Sequence, residues 1–558
     1  MATLSKDLLT GQQESMRITP ALGFVMIWHA LVGAGLFFGA AQLWQITQFF
    51  NLGNFVPRFL ALMVGLLGTA SFITIALLMR SSNNGRLIGI LLNFFGMTLA
   101  ILYFGHLIGL YIGIDFLAAG VFRNSALLLG LPIGYAIVWI GRRFDEAAAA
   151  HDWLQRIGLG VMMLTVMALL IASGLVTSIG TLLNALSRFD VLATLAVGIL
   201  FAASGVLLLR MGPRFGETIL QREAWQGWLF LLPNFVNFLL FFAMPLILSF
   251  YLSFTNYDAV RRADFIGFDN YTRMLSLDIV TVPAGTSATG ILRQNHFEVA
   301  RITLGDTAIV FGGRDPLFWQ SLGTTIRYCI FLLILSIIPA LGLAMLLNSK
   351  IPGMRFFRAI YFLPSIAAVV GIALIWQWLY DPIIGYINYT ITQVITFLNT
   401  TFGFSITDPQ IQWLTDDNVM LYSAVIMAAW QVVGFNTVIL LAGLQGVPRE
   451  LLEASTVDGA GPWTRFRRII LPLLAPTTFF VTVTTLIAGL QAFTEMFVLF
   501  GNSTSNARLT TVFYLYQQGF QRFQMGYASA TAWVLFAVIF TVTLIQFRLS
   551  SSNRAYAD

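Results

Sequence analysis

The stretch "EASTVDGAGPWTRFRRIILP", from Glu453 to Pro472, is polar and basic, although it lies between two long apolar runs. The chain has 558 residues, of which 58% are hydrophobic and 10% charged, and its mean hydropathy is +0.80. This is far more apolar surface than a soluble core of that length needs, so the sequence predicts a chain that crosses a membrane many times. Because the hydrocarbon layer offers no water to the backbone, each long apolar run is expected to be a helix. The predicted fold class is an all-α polytopic membrane protein.

About twelve apolar runs are long enough to be candidate membrane spans. They cover residues 21–44, 57–79, 87–113, 124–140, 157–182, 190–210, 227–254, 318–347, 357–380, 419–445, 473–498 and 526–547. If the amino terminus is cytoplasmic, 19 of the 31 basic residues fall in cytoplasmic segments, which is the bias that the positive-inside rule predicts. We therefore expect a multi-pass protein of the cell membrane, with both termini and the opening stretch in the cytoplasm. No small-residue cleavage pattern follows the polar start, so the first helix is expected to remain.

The composition changes at Arg210–Trp228, where glycine, proline and mixed charge interrupt the apolar pattern. We predict a domain boundary there, with an extension of about six helices in residues 1–221 and a second domain in residues 222–549. A short tail follows in residues 550–558. Nothing in the first six spans is similar to the opening stretch, so the sequence does not indicate an internal duplication.

One long loop, residues 255–316, is expected to face outward. Its segment Val299–Phe311 is rich in β-branched residues and shows partial alternation of apolar and polar positions. This pattern predicts a small β-rich insert rather than a disordered loop.

The sequence also lacks several kinds of site. Only Lys6 and Lys350 are lysines, and neither belongs to a phosphate-binding Gly-Lys-Ser or Gly-Lys-Thr loop. The four histidines have no metal-ligand spacing, and the single cysteine excludes an intrachain disulfide. We therefore predict no metal site, no catalytic residue and no bound cofactor, and we expect any ATP chemistry on another chain. The basic pI, near 9.5, is explained by loop charge in a membrane protein and does not indicate nucleic acid.

The opening stretch is expected to form two short helices joined by a rigid turn. Pro448 suits the first turn of a helix that ends near Val457, and Gly459 can adopt the positive φ that ends it. Pro462 then suits the start of a second helix, whose apolar and arginine faces are distinct. An apolar helix face outside the bilayer must be buried against something, either lipid headgroups or a partner protein. Periodicity alone does not distinguish these two possibilities.

The same stretch resembles the EAA loop of permease subunits of binding-protein-dependent ABC importers, whose pattern is Glu-Ala-Ala, then Asp-Gly-Ala, then a late Leu-Pro. Ser455 stands where this pattern has its second alanine. Further segments are similar to the carbohydrate branch of that family, which contains the maltose and glycerol-phosphate permeases. They are LPNFVNFLLFFAMPLILSFYLSFTNYD, FIGFDNYTRML, DPLFWQSLGTTIRY, YFLPSIAAVVGIALIWQWLYDPIIGYIN and FQMGYASATAWVLFAVIFTVTLIQFR. The resemblance implies that the last six spans form a type I ABC importer permease core.

The family likeness also implies partners and site residues. The loop at residues 446–472 would dock on a cytoplasmic ATPase dimer that carries ATP and Mg, through Glu453, Ala454, Asp458, Gly459 and Ala460. A second permease subunit would complete the path, and an extracytoplasmic sugar-binding protein would deliver the substrate. A disaccharide, a longer oligosaccharide, a polyol and glycerol phosphate all stay open as that substrate. The family's sugar contacts fall on the spans that flank the loop. The candidates there are Gln431, Phe435, Asn436, Gln491, Phe493 and Glu495.

Two features depart from the family pattern. The segment GNSTSNAR, Gly501 to Arg508, replaces the Gly-Gly-Pro turn that often follows this span, and the six extra amino-terminal spans are unusual. Alternatives therefore stay open: an ion-coupled transporter with twelve helices, or a membrane-embedded enzyme of the glycosyltransferase kind. The extension itself could be an assembly scaffold without a transport role.

Overall fold

The structure is a computed structural model. It describes residues 18–46, 52–111, 122–144, 149–173, 183–348, 353–501 and 503–554, together with Asp115 and Ala119. The predicted cytoplasmic amino terminus, the end of the span at 157–182, Lys350 and the last four residues of the tail lie outside this set.

Helices make up most of the described chain, and we number them in chain order. In the first part they are α1 (Pro20–Gln45), α2 (Phe55–Met79), α3 (Asn83–Leu107), α4 (Gly130–Gly141), α5 (Ala149–Ala172), α6 (Phe189–Arg210), α7 (Ile219–Phe238) and α8 (Met244–Leu252). In the second part they are α9 (Asp269–Leu275), α10 (Pro316–Leu347), α11 (Met354–Ile366), α12 (Val369–Leu379), α13 (Tyr386–Phe402), α14 (Met420–Gln445), α15 (Arg449–Val457), α16 (Pro462–Arg465), α17 (Ala475–Leu490), α18 (Thr494–Phe500), α19 (Thr511–Tyr516) and α20 (Met525–Arg554).

Within the described residues, nine helices are long and apolar enough to cross a membrane, and two bent pairs raise this number to eleven. A shorter apolar helix, Ser125–Gly141, accounts for the remaining predicted span. The all-α polytopic fold predicted by the sequence is confirmed.

Two predicted spans are not single straight helices. The span expected at 357–380 is bent by 99° between α11 and α12. The span expected at 473–498 is bent by 67° at Leu474, where α17 begins, and is broken again between Leu490 of α17 and Thr494 of α18. Mean hydropathy stays high across both breaks, so periodicity could not detect them.

The described chain forms two compact units, one with the residues up to Leu246 and one with Leu52, Gly53 and the residues from Ile247 onward. In the N-terminal unit α1 packs on α2, α3 packs on α6, and α4 pairs with α5. Apolar residues from α1, α2, α3 and α6 form its core, among them Leu22, Val25, Leu78, Ile90 and Leu208. This unit therefore has a core of its own.

The second unit is organised around α14, which is the most deeply buried of the long apolar helices that the structure describes. α10, α11 and α17 pack against it. Ala340 and Ala344 of α10 meet Leu440 and Leu444 of α14. Small residues on α10 let the two helices approach closely, as in other membrane bundles.

The loop at residues 255–316 contains a three-stranded antiparallel sheet. Its strands are β1 (Leu277–Pro283), β2 (Phe297–Leu304) and β3 (Thr307–Gly313), in the order β1-β3-β2. Gly305, with φ +60°, begins the short turn between β2 and β3. One face of the sheet buries Val282, Ala308 and Val310. The predicted small β-rich insert is confirmed.

Candidate functional site

The candidate site lies where two broken helices meet α14. The α11–α12 break falls at Ala367, and the α17–α18 break falls at Gln491. α12 packs on α18, and α18 contacts α14. Breaks at membrane depth are tolerated where other groups satisfy the freed backbone or where they line a cavity, which is why they often mark binding sites in transporters.

Gln431 on α14 supports the first break. Its side-chain amide donates a hydrogen bond to the backbone oxygen of Ala367 at 3.2 Å. A helix end leaves carbonyl groups without intrahelical partners, and a buried amide is a suitable donor for one of them. Gln431 therefore has a structural role at the break, whether or not it also contacts a ligand.

Gly434, one turn further along α14, lies against the backbone of α11. A Cβ atom at this position would lie 2.0 Å from the carbonyl oxygen of Tyr361. Only glycine permits this approach, so α11 and α14 are in direct backbone contact just before the break.

Asn436 points to different neighbours. It is 1% exposed, and its amide donates to Thr485 Oγ1 at 3.2 Å and to Ser336 Oγ at 3.5 Å. These bonds connect α14 to α17 and α10. The side chain is thus part of the packing between three helices and does not face the same way as Gln431.

The other four candidates have distinct settings. Phe435 is 49% exposed and Gln491 is exposed at the end of α17. Phe493 packs in an aromatic cluster, with its ring 5.4 Å from that of Phe497 and 5.1 Å from that of Tyr516. Glu495 is half-buried in the first turn of α18, where the helix dipole favours a carboxylate. Of the six candidates, Gln431 and Phe435 lie on the same face of α14, and Phe493 and Glu495 lie at the start of α18.

The opening stretch forms two short helical segments, as the sequence predicts. α15 ends with a pair of backbone bonds: the Gly459 amide donates to the Thr456 oxygen at 3.1 Å, and the Ala460 amide donates to the Ser455 oxygen at 2.9 Å. This is a Schellman arrangement, and Gly459 has the required positive φ of +76°. The turn is therefore rigid by its own local bonding.

The surface of this loop is exposed and mixed in character. Val457 is 88% exposed and Trp463 is 69% exposed. Glu453 and Asp458 are also exposed, and neither forms an ion pair with any residue that the structure describes. Asp458 caps the carboxyl end of α15, where the helix dipole disfavours negative charge. Stabilisation of α15 therefore does not explain the acid at this position.

The sequence interpretation missed a second polar site, a cavity of about 630 Å³ in the second unit. Four arginines line it: Arg261, Arg262, Arg273 and Arg314. Among the described residues only Arg261 of these four has a carboxylate partner, Asp258 at 3.6 Å. Beside the cavity, the hydroxyls of Tyr514 and Tyr527 both donate to Asp315. The adjacent arginines Arg261 and Arg262 in the long loop are the sequence feature that could have predicted this cavity.

Comparisons with known proteins agree with this architecture. Residues 328–554 match the model of the family described as binding-protein-dependent transport system inner membrane component. The chain is 32% identical over 327 residues to the arabinooligosaccharides transport system permease protein AraP of Bacillus subtilis, covering 58% of this chain and 88% of AraP. It is 30% identical over 335 residues to the probable ABC transporter permease protein YesP of the same organism, covering 60% of this chain and 92% of YesP.

A solved bacterial ABC transporter involved in the import of the acidic polysaccharide alginate aligns with 59% of this chain and 96% of its own chain, at 19% identity and a TM-score of 0.46. The two relatives from Bacillus subtilis, matched over nearly their whole length, decide the assignment. The chain belongs to the binding-protein-dependent transport system inner membrane components, among the permeases of carbohydrate ABC transporters.

Proposed function

We propose that this chain is one of two permease subunits of an ATP-driven sugar importer and that it transmits ATPase movements through the loop at residues 446–472. The observation that carries the proposal is the rigid turn at Gly459, which holds two short helices outside the spans with apolar and acidic groups exposed. A second permease subunit completes the path, because this chain has a single such loop.

The docking partner is a cytoplasmic ATPase dimer, which binds ATP and Mg. Val457 and Trp463 supply apolar area that water disfavours. Glu453 and Asp458 supply negative charge that a basic group on the partner can pair with. Both termini are then cytoplasmic, in accordance with the loop charges.

Glu453 and Glu450 provide a matched test of this docking. Both glutamates are exposed on α15, but Glu450 lies in the first turn, where it stabilises the helix, and Glu453 lies in the part similar to the family motif. In proteoliposomes with the ATPase and the binding protein, Glu453→Gln should lower sugar uptake more than ATP hydrolysis, and Glu450→Gln should change neither by more than about twofold. Equal behaviour of the two variants would refute the docking role.

The transported substrate is a sugar delivered by an extracytoplasmic binding protein. AraP, the relative from Bacillus subtilis, is named for the transport of arabinooligosaccharides. Near the two helix breaks, Gln431, Phe435 and Gln491 offer amides and an aromatic face, which suit hydroxyls and C–H faces of a sugar. Mass spectrometry of the ligand that co-purifies with the complex and its binding protein tests the substrate class. A ligand that is neither a carbohydrate, a polyol nor a glycerol phosphate would refute it.

A further inference from the structure

The arginine-lined cavity of about 630 Å³ in the second unit lies where three long apolar segments begin or end. Of its lining residues, Asn256 follows the end of α8 by four positions, Arg314 precedes α10 by two, and Gln524 precedes α20 by one. The segments that meet here, Ile219–Leu252, Pro316–Leu347 and Met525–Arg548, are each long and apolar enough to cross a membrane. Since the polar headgroup region on each side of a bilayer is roughly 5–8 Å thick, residues this close to the helix ends lie at headgroup level.

The guanidinium groups of this cavity are open to a ligand. All four of its arginines are exposed, and the side chain of Arg261 is 87% exposed. Three aspartates also line the cavity, namely Asp258, Asp264 and Asp269, and four arginines against three aspartates leave a net formal charge of +1. A ligand group with a single negative charge therefore complements the cavity as a whole.

Two of the four arginines are occupied by their neighbours and two are not. Arg261 has its carboxylate partner, and the guanidinium carbon of Arg273 lies 4.6 Å from the centre of the Tyr527 ring. Arg262 and Arg314 form no side-chain hydrogen bond or ion pair with the part of the chain that the structure describes. Because a guanidinium group can donate two parallel hydrogen bonds to phosphate or carboxylate oxygens, these two side chains are the donors available to an anion.

Exposed aromatic rings adjoin the cavity. Phe265 and Phe268 lie on either side of the lining residue Ile266 in the chain, and they are 70% and 68% exposed. Both rings contact that of Phe254, at centroid distances of 6.3 Å and 5.3 Å, so the three rings form one apolar patch. Large exposed rings are unfavourable in water but are common at membrane–water interfaces. A ligand with an apolar part beside its charged group therefore suits this surface.

We propose that this cavity binds the headgroup of an anionic phospholipid, whose phosphate accepts hydrogen bonds from Arg262 and Arg314 and whose acyl chains begin along Phe265 and Phe268. The phosphodiester of such a lipid carries one negative charge, which matches the net charge of the cavity, and basic sites between membrane helices are suited to lipid headgroups. A phosphate monoester such as sn-glycerol 3-phosphate has the same oxygen chemistry, but it carries a charge of about −1.5 to −2 and has no apolar part to cover the rings. The site is separate from the loop at residues 446–472 and from the helix breaks, so the proposal does not depend on the transported substrate.

Arg314 and Arg522 allow a matched pair of variants. Both side chains are exposed, and each lies two or three residues before a long apolar helix, α10 or α20. Arg314 lines the cavity, whereas Arg522 does not. Glutamine at either position removes one positive charge and keeps an amide, so the pair separates loss of the site from loss of charge near the membrane. Arg262→Gln is the second cavity variant.

The experiment is native mass spectrometry of the purified full chain in detergent, titrated with dioleoyl phosphatidylglycerol. We expect one lipid to bind more tightly than all others. Its Kd should rise by at least about tenfold in Arg314→Gln and in Arg262→Gln, because each loses a charge-assisted hydrogen bond, and it should stay within about twofold of the wild type in Arg522→Gln. The thermal unfolding midpoint should not change in any of the three variants, because all three side chains are exposed.

Two further ligands identify the source of the phosphate. Dioleoyl phosphatidylethanolamine, which has the same chains but no net charge, should bind at least about tenfold more weakly, and sn-glycerol 3-phosphate should not displace the bound lipid. Displacement by sn-glycerol 3-phosphate, or equal affinity for the two lipids, would overturn the proposal. It would also be overturned if both cavity variants bound phosphatidylglycerol as the wild type does. Loss of sugar uptake in such variants would then make the cavity a contact for the binding protein.

Discussion

The guanidinium group of Arg465 donates a hydrogen bond to Thr456 Oγ1 at 3.0 Å, across the turn at Gly459. Thr456 belongs to α15 and Arg465 to α16, so the bond joins the two short helices of the exposed loop. Together with the Schellman bonds it makes the loop a single rigid element. A rigid element can transmit a displacement from a docked partner to the spans on either side of it.

The turn at Gly459 provides the sharpest test of that rigidity. A Cβ atom at Gly459 or at Gly461 would meet nothing within 4 Å, but only Gly459 has positive φ. Gly459→Ala should cost roughly 1–2 kcal/mol in the turn, whereas Gly461→Ala should be nearly neutral. We expect the first variant to lower sugar uptake per ATP hydrolysed in proteoliposomes and the second to resemble the wild type. If both variants couple normally, the turn conformation is not needed for coupling.

Asn436 should matter for stability more than for sugar affinity. Its amide connects three helices, and Asn436→Leu should lower the free energy of unfolding by roughly 0.6–1.7 kcal/mol, between the mean and the maximum measured for polar contacts between membrane helices. Thr437→Val is the matched control, because the Thr437 hydroxyl donates only to the Val433 oxygen of its own helix. Thermal unfolding and the KM for uptake should be measured together. A large rise in KM without loss of stability would instead make Asn436 a sugar contact.

Asp315 holds together the ends of three helices in the second unit. One carboxylate oxygen caps α10 by accepting from the Phe318 amide at 3.1 Å, and the other accepts from the hydroxyls of Tyr514 and Tyr527. Asp315→Asn keeps an oxygen for the cap but loses the charged acceptor, which should cost about 1.5–3 kcal/mol for each bond lost.

Asp315→Ala also loses the cap, so its free energy of unfolding should be lower by about a further 0.5–2 kcal/mol. The thermal unfolding midpoint of the purified chain should therefore fall in the order wild type, Asp315→Asn, Asp315→Ala. Equal midpoints for the two variants would mean that the cap contributes nothing.

Much of the core could be predicted because its signals are local. Apolar runs located the long helices, and the sequence Asp-Gly-Ala-Gly-Pro, from Asp458 to Pro462, predicted the turn between α15 and α16. The β-branched alternation in Val299–Phe311 predicted strands for the same reason. In each case the residues that determine the structure are neighbours in the chain.

The broken helices were missed because the chain stays apolar across both breaks, and Pro364, in the last turn of α11, is only a local signal that does not by itself show where the chain goes next. The partner of the freed Ala367 carbonyl is Gln431, 64 residues away in the chain, which no local pattern shows. The amide of Asn436 donates hydrogen bonds to Ser336 and Thr485. No local sequence pattern distinguishes such a side chain from one that could bind a sugar. A polar residue within a predicted span indicates where a functional or structural contact lies, but only its hydrogen-bond partners in the structure show which of the two it is.

The contact between Gly434 and the Tyr361 carbonyl predicts a strict size limit beside the first break. A Cβ at position 434 would lie 2.0 Å from that oxygen, and because the oxygen belongs to the backbone it cannot move without displacing α11. Gly434→Ala should therefore cost at least about 1–3 kcal/mol, the range typical of overpacked cores. Gly371→Ala, in α12 with nothing within 4 Å, should be tolerated. Thermal unfolding and uptake should separate the two variants, and a stable, active Gly434→Ala protein would show that α11 can move away from α14.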